Sequence, residues 1–217
     1  MNSKRTQLLL AAAVFGLVAI GARPGLGAAS GVVPAAGDAE SKGRVFLTLD
    51  EALEAAFPKC EVKRSTVFLA KKEKKRVQEL SGVPLVSGIL YPYTANRRDP
   101  KTGERVVVGT AYFETHRVRS LKETMMFVVS PEGKIQRAEV LAFYEPHDYL
   151  PNARFYAQFH GHRLDAQLSL KRGIRSVTGC SLSAQAATNA ARRILAIHQV
   201  VHERPLLKGA MQDSKGR

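Results

Sequence analysis

A turn of small residues leads directly into the longest helix that the sequence predicts. The turn and the helix start consist of Thr178, Gly179, Cys180, Ser181, Leu182 and Ser183. Free backbone N–H groups and the positive end of the helix dipole point at such a turn, so an anion is favoured there. Arg175 adds a positive charge just upstream. From these residues alone an ordinary N-capped helix start is the preferred interpretation, because Ser and Thr are common caps, and a phosphate-binding turn is the alternative.

The same turn has two features of reactive sites. A thiol near a helix N-terminus often has a lowered pKa, which predicts a reactive Cys180, while a small buried side chain is the alternative. Residues 179–183 resemble the nucleophile elbow of hydrolases but lack its second Gly, which argues against a hydrolase. Cys60 is the only other cysteine, and a disulfide between the two stays open.

Several histidines have spacings that occur in metal sites. His198 and His202 are four residues apart, as on the zincin helix, but Gln199 replaces the general-base Glu of that motif. A surface or helix-end pair is therefore the preferred interpretation. His160 and His162 flank a Gly, and the sequence shows no third or fourth ligand for them. For His116, near Arg117 and Arg119, contact with a phosphate or a partner and a solvated basic rim stay open.

The surrounding pattern predicts an α+β domain with an antiparallel twisted sheet and flanking helices. Helices are expected at 51–57, 71–80 and 153–159, and the long one at 183–202. Its apolar residues recur every three or four positions and define one face. Strands are expected at 61–69, 85–93, 106–115, 123–129 and 135–143, joined by hairpin turns at 99–103 and 130–133. The folded domain is expected to span 44–204, followed by a loose C-terminal tail at 205–217.

The N-terminal residues have the pattern of a signal peptide. Lys4 and Arg5 precede a continuous apolar run at 8–20, and small residues follow at 27–29. The run is shorter than a membrane-spanning helix requires. We expect a signal peptide at 1–28, a Gly-, Ala- and Pro-containing flexible linker at 29–43, and a periplasmic or otherwise extracytoplasmic location.

The chain is strongly basic, with a formal net charge of +14 at pH 7. Residues 1–28 hold three basic residues and no acidic one, which leaves +11 for the remainder. In a cytosolic protein this charge would suggest nucleic acid, but export makes that a poor partner and none is expected. An anionic membrane surface, a wall polymer or an acidic redox protein fits better. The basic run at 71–76 is either a solvated helix face or a docking surface for such a partner.

Three segments resemble, in the same order, the FMN-binding domain family. Residues 178–183 resemble its Ser/Thr-Gly-Ala-Thr-x-Ser/Thr motif, and residues 139–146 its strand that ends in an acidic residue and Pro. Residues 155–161 are similar to its aromatic-x-x-Gln-Phe-x-Gly segment. The resemblance covers about residues 105–200. The family includes the small flavin-carrying subunits of Rnf and sodium-pumping NADH:quinone complexes.

The resemblance implies that FMN is the cofactor. In the family a separate flavin transferase esterifies the motif Thr to the FMN phosphate, and Ser181 stands at that position here. Thr178, Gly179, Leu182 and Ser183 would form the cradle around it. Two residues depart from the pattern: Cys180 replaces Ala, and Arg175 stands where many members have Asp. Covalent attachment, ionic binding through Arg175, and loss of flavin binding therefore all stay open.

The flavin ring needs a flat apolar slot with a few polar contacts. Tyr149, Leu150, Phe155 and Phe159 are the expected walls, although core packing is the commoner fate of such aromatic residues. Glu145 and Gln158 are the expected polar contacts, and Gln158 has the better motif match.

These features together favour an extracytoplasmic, FMN-binding electron-transfer protein, a carrier more than an enzyme, with an extracytoplasmic redox partner. The alternative is a cofactor-free basic module that docks on an anionic membrane, a wall polymer or an acidic protein.

Overall fold

A computed structural model describes residues 43–85 and 87–213. The strands are β1 (Arg44–Val45), β2 (Glu61–Arg64), β3 (Val67–Phe68), β4 (Ile89–Leu90), β5 (Tyr93–Arg98), β6 (Arg105–Arg117), β7 (Lys122–Val129) and β8 (Ile135–Phe143). The helices are α1 (Leu49–Ala56), α2 (Lys71–Ser81), α3 (Ala153–Ala157) and α4 (Ser181–Asp213). The expected signal peptide at 1–28, and the expected linker except its last residue, lie outside the described residues.

Six strands form one antiparallel sheet in the order β1-β8-β7-β6-β5-β2, and β3 pairs with β4 in a separate ribbon. The three longest neighbours, β6, β7 and β8, follow one another along the chain and are joined by short turns. Their pairing confirms the α+β class and the antiparallel sheet that the sequence predicted. The hairpin turns lie where they were expected, with Gly103 and Gly133 both at positive φ.

Strand β7 explains why the sheet needs helices on both faces. Successive side chains of a strand point to opposite faces, and here both sets are buried. Met125 and Phe127 belong to the core under α4, whereas Met126 and Val128 belong to the core under α1. The α4 face also carries α2 and α3, so most of the large side chains of the core lie there.

Two predicted strands, 61–69 and 85–93, are each broken into two. The first leaves the large sheet after Arg64 and continues in the small ribbon as β3, and the second begins in that ribbon and enters the large sheet at Tyr93. The two breaks face each other, since the Ser65 N–H donates to the Pro92 carbonyl at 2.9 Å. Pro92 has no N–H group for a ladder, which favours an interruption there.

Helix α4 is buried on more sides than its apolar row predicted. Leu182, the first residue of that row, is 53% exposed, whereas Arg193, which falls outside the row, is only 6% exposed. The sheet covers one side of the helix and α2 packs against another. The helix extends beyond its expected end at residue 202 to Asp213. Over the described ranges, no helix combines the length and apolarity that a membrane crossing requires.

Candidate functional site

The turn that the sequence singled out lies at the N-terminus of α4. Gly179 adopts φ +83°, a left-handed conformation that Gly reaches without strain. The Ala184 N–H donates to the Cys180 carbonyl at 2.9 Å, which starts the helical ladder. The N–H groups of residues 181–183 therefore precede the ladder and have no helical acceptor. Free N–H groups at a helix N-terminus are groups that bind anions, so the alternative of a phosphate-binding turn stays open.

A small pocket of about 220 Å³ opens at this helix end, and we call it the α4 cradle. Its lining consists of Arg119, Tyr149, Gly179, Cys180, Ser181, Leu182 and Ser183. The structure thus brings Tyr149 to the turn, as expected. The side chain of Ser181 is exposed at the first position of the helix, and Thr178 is exposed just before it.

Arg119 is the cationic residue of the α4 cradle, and sequence reasoning assigned that role to Arg175. The Arg119 guanidinium lies 4.9 Å from the centre of the Tyr149 ring, within cation–π distance. Arg175 is exposed and does not line the cradle. Arg119 lies far from the turn in sequence. The only feature of the sequence that pointed to it was the basic cluster around His116.

Glu145 holds the segment that presents Arg119. Its Oε1 accepts the backbone N–H groups of Arg119 at 3.1 Å, Ser120 at 2.7 Å and Leu121 at 2.7 Å. Burial raises the pKa of the Glu145 carboxyl. The three N–H donors and the positive charge of Arg119 lower it by more, so the pKa lies below its ordinary value. Glu145, expected as a direct contact of the flavin ring, is instead the anchor of the β6–β7 turn.

Two side chains of the motif fix the cradle to the segment before α3. The Ser183 hydroxyl donates to the Tyr149 carbonyl at 2.5 Å, and the Cys180 thiol donates to the Asp148 carbonyl at 3.4 Å. Burial raises the pKa of the Cys180 thiol, which is the opposite of an activated thiolate. Cys60 and Cys180 are both free thiols, so the disulfide left open by the sequence is absent from the described residues.

The remaining expected contacts lie outside the cradle. The Gln158 side chain accepts the Arg175 N–H at 2.8 Å and donates to the Arg175 carbonyl at 3.2 Å, so it ties two loops together. Leu150 lines a separate pocket on the other side of α3. Phe155 and Phe159 are buried in the core and form an edge-to-face pair, which makes them structural residues and not walls of an open slot.

A larger groove of about 480 Å³ adjoins the cradle, and Leu182 lines both. We call it the Arg193 groove. Its apolar walls come from Val83, Pro84, Leu85 and Leu182. Its basic groups come from His116, Arg117, Lys122 and Arg193, and no Asp or Glu of the described residues lines it. The groove therefore offers apolar contact together with the positive charges of Arg117 and Lys122.

Beneath the groove lies a buried polar cluster that sequence reasoning missed. It consists of Glu114, His116, Glu123, Tyr156 and Arg193. Glu114 and His116 project from the α4 face of β6, and Glu123 lies opposite His116 on β7. Arg193 Nε donates to Glu114 Oε1 at 3.1 Å, and the Tyr156 hydroxyl donates to Glu123 Oε1 at 3.1 Å. Two anions face two cations, so the cluster is neutral when His116 is protonated.

The two glutamates hold a proton on His116. Its Nε2 lies 3.0 Å from Glu123 Oε2, and its Nδ1 lies 3.5 Å from Glu114 Oε1. Burial alone would lower the pKa of His116, but the hydrogen bond with Glu123 and the negative charges of Glu114 and Glu123 outweigh it and raise the pKa to about 9. The expectation of a solvated basic rim is therefore wrong for His116. The signal available in the sequence was the alternation of Glu114 and His116 on one strand face.

The sequence favoured a surface position for His198, but the residue is buried and only 3% exposed. Its partner His202 is exposed, and burial together with His202 lowers the pKa of His198 to about 4. Within residues 43–85 and 87–213, no three His, Cys, Asp or Glu side chains are grouped as a ready metal site.

No family model, curated protein or solved structure matches the chain. The interpretation of the site therefore depends on its geometry and chemistry.

Proposed function

We propose that this protein holds one FMN at the α4 cradle and the Arg193 groove, and carries electrons outside the cytoplasm. The observation that carries the proposal is that Ser181 and Arg119 line one pocket at the N-terminus of α4. FMN supplies reversible electron uptake. The chain's own residues would bind the phosphate, orient the ring and tune its environment.

The cradle suits the phosphate of FMN. The N–H groups of residues 181–183, the Arg119 guanidinium and the exposed Ser181 hydroxyl are all groups that bind phosphate oxygens. Gly179 is at a positive φ that side-chain-bearing residues rarely adopt, so its place in the motif has a conformational reason. At about 220 Å³ the cradle accommodates a phosphate group but not a flavin ring.

The Arg193 groove suits the ring. Its volume of about 480 Å³ falls within the range of about 300–1,000 Å³ that is usual for small-molecule pockets. Leu182 separates the two compartments, so a ligand bound at both would pass over this side chain. Arg117 and Lys122 would place positive charge beside the ring, which stabilises the reduced, more negative flavin.

Ser181 decides between covalent and ionic attachment. Its hydroxyl is exposed, whereas that of Ser183 is occupied by the Tyr149 carbonyl. A flavin transferase would therefore reach Ser181 and not Ser183. In the absence of that enzyme, Arg119 and the helix N-terminus would hold the phosphate ionically.

The exposed face of α2, rich in lysine, offers a docking surface for an acidic redox partner or an anionic membrane. Docking of this kind is weakened by salt.

The test is to purify the exported protein, record its absorption spectrum and titrate the colourless fraction with FMN. Flavin bands or saturable binding at one FMN per chain support the proposal, and their absence contradicts it. In-gel fluorescence after denaturation then detects covalent flavin. Ser181→Ala should abolish that fluorescence, whereas Ser176→Ala, an exposed serine of the same loop outside the cradle, should retain it.

A further inference from the structure

His198 and His202 lie one helical turn apart on α4, and their ring centroids are 4.2 Å from each other. The rings are tilted by 39°. Residues four apart on a helix share one face, and two imidazoles in this relation are able to ligate one cation. The absence of a general-base Glu removes protease chemistry but leaves the pair of ligands intact.

The environment of His198 resembles that of a metal ligand. Its Nδ1 lies 3.0 Å from the Tyr112 hydroxyl, and burial raises the pKa of that hydroxyl, so Tyr112 stays protonated. Metal-binding histidines characteristically have one ring nitrogen fixed by such a hydrogen bond, which orients the other nitrogen. Here the other nitrogen, Nε2, is buried without a hydrogen-bond partner among the described residues.

An unpartnered buried nitrogen is costly, because it loses its hydrogen bond to water and gains none in the protein. If Nε2 carried the proton, the protein would bury an N–H group without an acceptor. If Nδ1 donates its proton to Tyr112, Nε2 presents a lone pair instead. A cation satisfies that lone pair, whereas nothing else in the described part of the chain does.

Both histidines line a chamber of about 420 Å³ between α4 and the β7–β8 turn. Its charged residues are Glu132, Glu203 and Arg163. Lys134 also acts on Glu132, so two carboxylates face two cations and the surroundings are close to neutral when the imidazoles are neutral, in contrast to the strongly basic chain as a whole. The local electrostatics therefore do not oppose a cation.

We propose that His198 Nε2 and the His202 imidazole bind one divalent transition-metal cation of the Zn²⁺ or Cu²⁺ class. Imidazole is a preferred ligand of these ions. No third side chain of the His, Cys, Asp and Glu set is grouped with the pair in the described residues, so water would occupy the other positions. Because His202 is exposed and its ring lies beside that of His198, the two imidazoles would share the cation. The chamber shares no lining residue with the α4 cradle. The proposed binding of a cation therefore does not depend on FMN.

The experiment is calorimetric titration of the full chain with Zn²⁺ after chelator treatment, on protein purified without a histidine tag. We expect saturable binding at one Zn²⁺ per chain. His202→Ala should weaken the affinity at least tenfold without loss of fold, since the side chain is exposed. His147→Ala, which removes another exposed histidine, is the matched control and should bind like the unaltered chain.

A second variant tests the orienting hydrogen bond. Tyr112→Phe should weaken Zn²⁺ binding by about tenfold, because loss of such a partner commonly costs 10- to 100-fold in affinity. Electron paramagnetic resonance of the Cu²⁺-loaded chain should show nitrogen ligands, and fewer of them in His202→Ala. Absence of one-to-one binding, or equal affinity in His202→Ala and the unaltered chain, would overturn the proposal.

Discussion

The Glu145 carboxylate accepts the backbone N–H of Arg119 at 3.1 Å, and the Arg119 side chain extends from there into the α4 cradle. One residue thus fixes the backbone position from which the other reaches the cradle. Glu145 follows β8 and Arg119 follows β6, so the contact joins segments that the sheet brings together. The contact therefore links the stability of the β6–β7 turn to the position of the positive charge at the proposed phosphate site.

Glu145→Ala should destabilise the protein by about 1–3 kcal/mol, because three N–H groups lose a charged acceptor. It should also weaken FMN binding, since the turn no longer holds Arg119 in place. Urea unfolding and FMN titration measure the two effects. Glu104→Ala removes an exposed acid from another hairpin and should change neither. An unaltered FMN affinity in Glu145→Ala would show that the β6–β7 turn does not affect FMN binding.

Arg119→Gln should weaken non-covalent FMN binding by about 10- to 100-fold, which corresponds to the loss of one hydrogen bond to a charged group. Arg175→Gln should have little effect, because Arg175 lies outside the cradle. Fluorescence titration with FMN measures both affinities. If Arg175→Gln weakens FMN binding more than Arg119→Gln does, Arg175 is the cation that binds the phosphate, as the sequence favoured.

Glu114→Gln should destabilise the fold by about 3–5 kcal/mol, because it leaves Arg193 buried without its anionic partner. Chemical denaturation of the flavin-free protein gives the value. Glu61→Gln breaks an exposed pair with Arg105 and should have no comparable effect. If Glu114→Gln proves as harmless as Glu61→Gln, the cluster does not hold α4 on the sheet.

Stability should fall between about pH 6.5 and pH 9 as His116 loses its proton. The folded-state pKa of about 9 lies above the ordinary value of about 6.5, so the native state binds the extra proton. The stabilisation is complete below about pH 6.5, amounts to the order of 3 kcal/mol, and is lost as the pH rises through the folded pKa. Denaturant midpoints measured across this window give the slope.

His116→Gln is the comparison for this pH profile. It should be less stable at neutral pH, since Glu114 and Glu123 lose their shared cation, and its profile should be flatter from pH 6.5 to 9. The two proteins differ only at this position, so the difference between their profiles isolates His116. Parallel profiles would show that His116 is neutral in the folded state.

Much of the fold follows from local patterns. Thr48 and Glu51 form the capping box that begins α1, and Gly82 ends α2 in the left-handed conformation. The β8 strand has the predicted bounds, and the hairpin turns have the predicted Gly residues. Backbone conformation and alternation along one strand depend on neighbouring residues, so a single sequence carries this information.

The sequence by itself predicted a long helix from about residue 183, two residues after the observed start of α4 at Ser181, and the small residues that precede it. Only the tertiary structure decided that Arg119 lines that turn, that Glu145 anchors a loop, and that His116 and Arg193 lie in a buried neutral cluster. These are pairings between side chains on different elements, and they depend on how α4 packs across β6 and β7. Charged residues in a sequence are usually assigned to the surface, because burial is costly for an unpaired charge. The partner that makes such burial tolerable becomes visible only when the elements are assembled.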